Sequence, residues 1–332
     1  MTVTSPPLQS CSALALERAE PLFATAPHTS GWLAVEQPGA WRRNPFATGL
    51  ADEIHRALLA RADAGGLRLL AMRPLARSTT SEESDARPAS ADTAGARARR
   101  IVEADCRPGR VTLWSGVAAS DGELLDVVDP SRHPDPDERR GVVAVPPLYL
   151  VCTHAGRDAC CGRDGRTVAL ALAAARPGRV WECSHLGGHR FAANVLVLPL
   201  GLVYGRVRPA DAAALADTTD RGEVEPRLLR GRCASPPAAQ AAEHFLRLET
   251  GLRGSDDLTS ERLSAAPGSA VTTVTVRHGP LAWEVGVRAV PVGARPVSCV
   301  SSEEEDPGGY ELVSIDERPV EPGHGRSGCG QT

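Results

Sequence analysis

Residues Leu148–Val207, LYLVCTHAGRDACCGRDGRTVALALAAARPGRVWECSHLGGHRFAANVLVLPLGLVYGRV, decide how this chain is read. Two clusters of thiol and imidazole side chains stand in it, each just after a short apolar run. The first holds Cys152, His154, Cys160 and Cys161; the second holds Cys183, His185 and His189. Four of the nine cysteines fall in these two turns. Sulfur and nitrogen donors gathered at strand ends suit a transition metal or an iron–sulfur cluster. Around them, the pattern predicts a strand over Pro147–Val151, a helix over Arg166–Ala175 and a strand over Arg179–Glu182. Asn194–Leu198 and Leu202–Val207 read as a hairpin through Pro199-Leu200-Gly201. Adjacent parallel strands joined by a helix send their following loops to one edge of the sheet. The two clusters should therefore face each other, with Gly156, Gly162, Gly187 and Gly188 letting the backbone fold tightly there.

The first part of the chain repeats this order. Gly31–Glu36 reads as a buried strand closed by Gln37-Pro38-Gly39. Leu50, Ile54, Leu58 and Leu59 give Ala47–Ala64 a helical spacing, which Gly65-Gly66 stops. Leu67–Met72, Arg100–Ala104 and Arg110–Gly116 read as further strands. GWLAVEQPG and LYLVCTHAG then look like corresponding strand-to-turn segments, the first lacking metal ligands, so an internal duplication is expected. Residues 76–98, nearly free of large apolar side chains, are expected to be a disordered loop, and residues 126–141 a linker. A short helix is expected over Ala13–Glu20. Helices are expected over Pro209–Ala216 and over Ser235–Leu248, the latter capped by Ser235 with Pro236 and Pro237 in its first turn. Ala270–Arg277 and Ala282–Val290 alternate as a β-hairpin. Ser301–Thr332 should fray, apart from a strand over Tyr310–Ile315.

Composition narrows the function classes. The 332 residues carry a net charge of −4, which leaves no basic excess for a general nucleic-acid binder. Every basic residue other than histidine is arginine. No window reaches the ~18 apolar residues of a membrane span, and the N-terminus lacks the pattern of a secretory signal. The odd, scattered cysteines do not form a secreted disulfide framework, so the expected location is cytoplasmic. No glycine-rich phosphate loop is present, and a nucleotide cofactor is unsupported.

Cys152-Thr-His-Ala-Gly-Arg157-Asp158-Ala-Cys-Cys161 and Ser184-His185-Leu-Gly-Gly-His189-Arg-Phe191-Ala-Ala-Asn194 resemble the two loops of the sucrase/ferredoxin-like family, a branch of the thioredoxin-like ferredoxins. Gly205-Arg206 and Arg230-Gly231-Arg232 through Gln240-Ala241-Ala242-Glu243 resemble its later segments. Thr25-Ala26, Trp32-Leu33 and Gln37-Pro38-Gly39-Ala40-Trp41 resemble its N-terminal part more weakly. The resemblance implies a 2Fe–2S cluster held by Cys152, Cys161, His185 and His189, and one-electron transfer to and from unidentified protein partners. Neutral imidazoles in place of thiolates would raise the potential and could couple reduction to proton uptake. No carboxylate pair is placed for glycosidase chemistry, so sucrase activity is not expected.

Other readings stand beside this one. The same Cys2His2 set suits structural zinc, and the adjacent thiols Cys160 and Cys161 could serve a thiol oxidoreductase. His154, Arg157, Asp158, Cys160 and Gly188 are expected around the ligands rather than among them, with Arg157 and Asp158 as an ion pair. Arg206 and Arg232 could face a partner or an anion, and the acidic run Glu303–Asp306 could steer a basic one. The expected architecture is α/β: an N-terminal half over 1–142, a thioredoxin-like ferredoxin domain over 143–250, and a C-terminal β-hairpin extension with a flexible tail over 251–332. Nothing in the sequence fixes the oligomeric state.

Overall fold

A computed structural model describes residues 10–75, 98–129, 146–266 and 268–318. The expected loop up to residue 97, the linker from residue 130, the boundary at 142/143 and Cys329 lie outside these residues. The chain forms a large mixed sheet with helices against it and a smaller antiparallel sheet at its C-terminal end. In order, the elements of the first half are α1 (Cys11–Glu17), β1 (Gly31–Glu36), α2 (Asp52–Ala64), β2 (Leu67–Pro74), β3 (Arg99–Asp105), β4 (Thr112–Ala118) and α3 (Leu124–Val128). The second half holds β5 (Leu148–Cys152), α4 (Ala159–Ala175), β6 (Val180–Cys183), β7 (Val195–Leu198), β8 (Leu202–Tyr204), α5 (Ala212–Asp220) and β9 (Leu229–Arg232). Then come α6 (Pro237–Thr250) and β10 to β15: Thr259–Ser264, Val271–His278, Leu281–Val290, Arg295–Ser298, Ser301–Glu305 and Gly309–Arg318.

Strands β1 to β9 form one sheet in the order β4-β3-β1-β2-β6-β5-β7-β8-β9. β1 runs parallel to β2 and antiparallel to β3; β5 runs parallel to β6 and antiparallel to β7. The two four-strand runs, β4-β3-β1-β2 and β8-β7-β5-β6, thus have the same connectivity, and they join through the antiparallel β2–β6 pair. Alternation along each strand sorts the core, because successive side chains point to opposite faces. Leu33 and Val35 pack under α2 and α3, and Tyr149 and Val151 pack under α4 and α5. Trp32, Ala34, Leu150 and Cys152 line the other face. The Thr29 amide donates to the Cys233 carbonyl at 2.8 Å, so the end of β9 curls back toward the entry of β1.

Several expectations need correction. α4 starts at Ala159, not Arg166, because Asp158 caps it by accepting from the Cys160 amide. α6 is not capped by Ser235, whose hydroxyl donates to Glu243 instead. Residues 126–128 belong to α3 rather than to a linker. The expected C-terminal hairpin, β11–β12, is the centre of a four-stranded sheet, β10-β11-β12-β15, that packs on α6. The acidic run is largely β14, paired with β13.

His244 of α6 lies flat on Phe23, ring centroids 4.1 Å apart, and burial pushes its pKa down to about 4. The unfolded chain takes up this proton near pH 6.5, so the stability it controls is full above that pH and lost as pH falls toward 4. We expect His244→Phe, which keeps a stacked ring, to remove about 2 kcal/mol of the difference between urea-unfolding free energies at pH 7.5 and pH 5. An unchanged difference would show that His244 is not the group titrating.

Candidate metal centre

The site grows from the ends of two neighbouring strands. Cys152 closes β5 directly opposite Cys183 at the end of β6, and the loops that follow open on the same edge, as parallel strands require. α4 returns over β5, and its first turn brings Cys161 to Cys152. Gly165 permits that approach. A Cβ there would lie far inside van der Waals contact with the Cys152 carbonyl oxygen and 3.0 Å from its carbon. The second loop carries His185, then Gly187 and Gly188, both at positive φ, then His189 at the start of a 3-10 turn, His189–Phe191.

The ligating atoms of Cys152, Cys161 and His185 lie within 4.8 Å of one another. Cys161 donates to Cys152, which pushes the Cys152 thiol well down and the Cys161 thiol up; His185 and the His154 amide lower Cys152 further. The lowered Cys152 thiol favours the thiolate form that a metal ion requires. His185 Nδ1 is buried with no hydrogen-bond partner among the described residues.

His189 stands beside this group but is not part of it. Its ring centroid is 5.2 Å from that of His185, and its Nδ1 lies 3.2 Å from Asp158 Oδ2. Burial drives its pKa down to about 4, only partly opposed by Asp158, so at neutral pH the imidazole is uncharged. Asp158 is completely buried and also accepts from the Cys299 amide and the Ser298 hydroxyl. Burial pushes its carboxyl up, but the Cys299 amide and thiol, His189 and the Cys160 amide together hold it down at about 2. The expected Arg157–Asp158 pair is not formed among the described residues.

The surrounding residues take other roles. His154 donates from Nε2 to the Arg42 carbonyl at 2.7 Å and packs edge-on to Trp41, so it positions the first loop. Cys183 is a buried core side chain. The adjacent thiols part company: Cys161 faces Cys152, while Cys160 faces Cys11 and Cys299. Arg206 donates to the Ala15 and Glu20 carbonyls, and Arg232 to the Ser255 carbonyl and the Asp256 carboxylate, so both are engaged within the chain. Arg230 was not singled out by spacing, yet it holds the second loop. Its Nη1 donates to the Gly187 carbonyl at 2.9 Å and to Asn194 Oδ1 at 2.8 Å. A cavity of about 230 Å³, lined in part by Arg157, His154 and His185, opens beside the centre.

A family model described as sucrase/ferredoxin-like matches residues 22–231, most of the chain. This chain belongs to the sucrase/ferredoxin-like family. The match spans β1 to nearly the end of β9, and so takes in both loops. Among curated proteins, this sucrase/ferredoxin-like chain is similar to three yeast proteins, each named altered inheritance of mitochondria protein 32. The one from Meyerozyma guilliermondii is 33% identical over 82 residues, covering 22% of this chain and 29% of the relative. The one from Debaryomyces hansenii is 34% identical over 95 residues, covering 25% and 35%. The one from Saccharomyces kudriavzevii is 27% identical over 113 residues, covering 30% and 36%. The chain thus spans about a third of the length of these relatives. No solved structure matches it. Among the described residues, no helix is long and apolar enough to cross a membrane.

Proposed function

We propose that this protein is an electron carrier with one 2Fe–2S cluster on Cys152, Cys161, His185 and His189. The observation that carries the reading is the group of two buried thiols and a half-buried imidazole within 4.8 Å, with a second, neutral imidazole next to it. The donors fit such a group. One sulfur's thiol is already lowered, and His185 Nδ1 has no hydrogen-bond partner among the described residues. Asp158 accepts the Nδ1 proton of His189, leaving Nε2 with its lone pair, the arrangement usual for a metal-binding histidine. The equivalent connectivity of the sheet's two halves supports a thioredoxin-like unit repeated in one chain, with ligands kept only in the second.

When bound, the cluster supplies a place for one electron to be taken up and released. The chain's own residues do the rest. α4 and the first loop keep water from Cys152 and Cys161, both essentially inaccessible. Arg230 and Asn194 fix the second loop, and Asp158 fixes the proton of His189 at Nδ1. The cavity lined in part by His154, Arg157 and His185 opens beside the centre and would suit the approach of a redox partner.

The test is the absorption spectrum of protein purified without oxygen, with iron, acid-labile sulfide and zinc assayed on the same sample. Visible charge-transfer bands with two irons and two sulfides per chain are expected. Cys161→Ser or His185→Ala should lose them, with iron falling about tenfold. A colourless chain whose zinc is lost in those two variants would establish the zinc reading instead.

A further inference from the structure

A second donor group lies apart from the first. Cys11 opens α1, Cys160 sits in the first turn of α4, and Cys299 lies in the turn between β13 and β14. Their sulfurs form a triangle: 3.4 Å from Cys11 to Cys160, 3.1 Å from Cys160 to Cys299 and 3.5 Å from Cys299 to Cys11. Asp158 Oδ1 stands 3.7 Å from the Cys11 sulfur, and all four ligating atoms lie within 4.8 Å of one another. Cys11, Cys160 and Asp158 are buried, and Cys299 is half-buried.

We propose that Cys11, Cys160, Cys299 and Asp158 form a second metal site, and that it takes zinc. Three sulfurs and a carboxylate oxygen are a complete tetrahedral donor set for that ion. With metal–sulfur bonds of about 2.3 Å, the sulfur–sulfur edges of a tetrahedron are about 3.8 Å. The observed edges, 3.1 to 3.5 Å, fall about 0.3–0.7 Å short of that and lie more than about 1 Å beyond the roughly 2.05 Å of a disulfide. A disulfide would use only two of the three thiols, whereas a metal ion would engage all three together with the carboxylate. The Cys11 amide donates to the Cys299 sulfur at 3.3 Å, and the Cys160 amide to Asp158 Oδ1 at 3.1 Å. Such bonds orient and partly neutralise anionic ligands. The ligands are separated by up to 288 positions, so the ion would tie α1 and the β13–β14 turn to the start of α4. Asp158 Oδ2 accepts from the Ser298 hydroxyl and the Cys299 amide and also meets His189 Nδ1, so the carboxylate stands between the two centres.

Zinc and iron are measured on the full chain purified without oxygen, as wild type, Cys11→Ser and Cys299→Ser. The wild type is expected to hold about one zinc per chain, and each variant to lose at least fivefold of it. Neither residue belongs to the Cys152 group, so iron, sulfide and the visible spectrum should be unchanged. Conversely, His185→Ala should lose iron and keep zinc, which separates failure of one reading from failure of the other. Should the serine variants not fold, alkylation of the wild type with and without a chelator gives the answer cysteine by cysteine. Cys11, Cys160 and Cys299 should become reactive together when zinc is withdrawn. Zinc retained in both variants, a wild type that binds none when zinc is supplied, labelling indifferent to the chelator, or a Cys160–Cys299 disulfide in unreduced peptides would each overturn the proposal.

Discussion

If the Cys152 centre holds the proposed cluster, Gly165→Ala is expected to empty it and to lower stability by about 3 kcal/mol, without touching a donor atom. Gly165 lies one helical turn beyond Cys161, on the same face of α4. Its missing side chain lets the helix backbone rest on the Cys152 and Thr153 backbone. A methyl group there has only main-chain atoms to displace, and β5 is held on both sides by β6 and β7. The helix must therefore move, and Cys161 moves with it. A shift of about 1 Å already degrades a metal site whose donors must be placed within about 0.5 Å. The measurement is iron per chain with urea unfolding, against Gly122→Ala as control. There an added Cβ meets only the Ser120 hydroxyl, at 3.8 Å. A Gly165→Ala protein that unfolds like wild type and keeps its iron would show that the α4–β5 approach does not set the Cys152–Cys161 spacing.

The same glycine shows where the sequence was and was not legible. Runs such as Gly31–Glu36 and Leu148–Cys152 are buried nearly throughout. Their hydrophobicity alone announces them, and turn glycines and prolines mark their ends. The order strand, helix, strand, hairpin could thus be read in both halves, and with it the meeting of the two loops. The start of α4 could not. Cys-Cys-Gly-Arg-Asp-Gly reads as a turn, because each glycine costs a helix about 1 kcal/mol. That cost is accepted where Gly162 abuts Ala155 and Gly165 abuts Cys152. β10 and β14 are largely exposed and polar, so they carry no apolar period to find. β9, Leu-Arg-Gly-Arg, was hidden by its two arginines, which are buried on oxygens of the chain (carbonyls, the Thr25 hydroxyl, the Asn194 amide and the Asp256 carboxylate) rather than solvated. Cys11 and Cys299 could not be joined to Cys160 by spacing, since only the tertiary fold brings them together.

Arg230→Met should cost about 3–5 kcal/mol and loosen the second loop. The guanidinium is buried over the Phe191 ring with no carboxylate partner among the described residues, and burial pushes its pKa down. It persists because every arm is used: Nε donates to the Thr25 hydroxyl, Nη2 to the Thr25 carbonyl, and Nη1 to Gly187 and Asn194. Asn194 in turn donates to the Gly188 carbonyl at 3.0 Å. Removing the fork strands buried acceptors on both sides of the turn that carries His185 and His189. A lysine, with one point charge, cannot reach all of them, so Arg230→Lys should fall between wild type and Arg230→Met. Loss of stability alone would not establish a positioning role. Arg247 therefore serves as the comparison: it is also buried, and its Nη1 holds the Leu252 and Gly254 carbonyls far along the chain from the two loops. Arg247→Met should lose comparable stability yet keep its iron. Arg230→Met should lose iron about tenfold faster to a chelator, with faster hydrogen exchange at the Phe191 and Ala192 amides, which close the 3-10 turn. Equal chelator rates in the two variants would mean that Arg230 supports the fold but not the placement of the histidines.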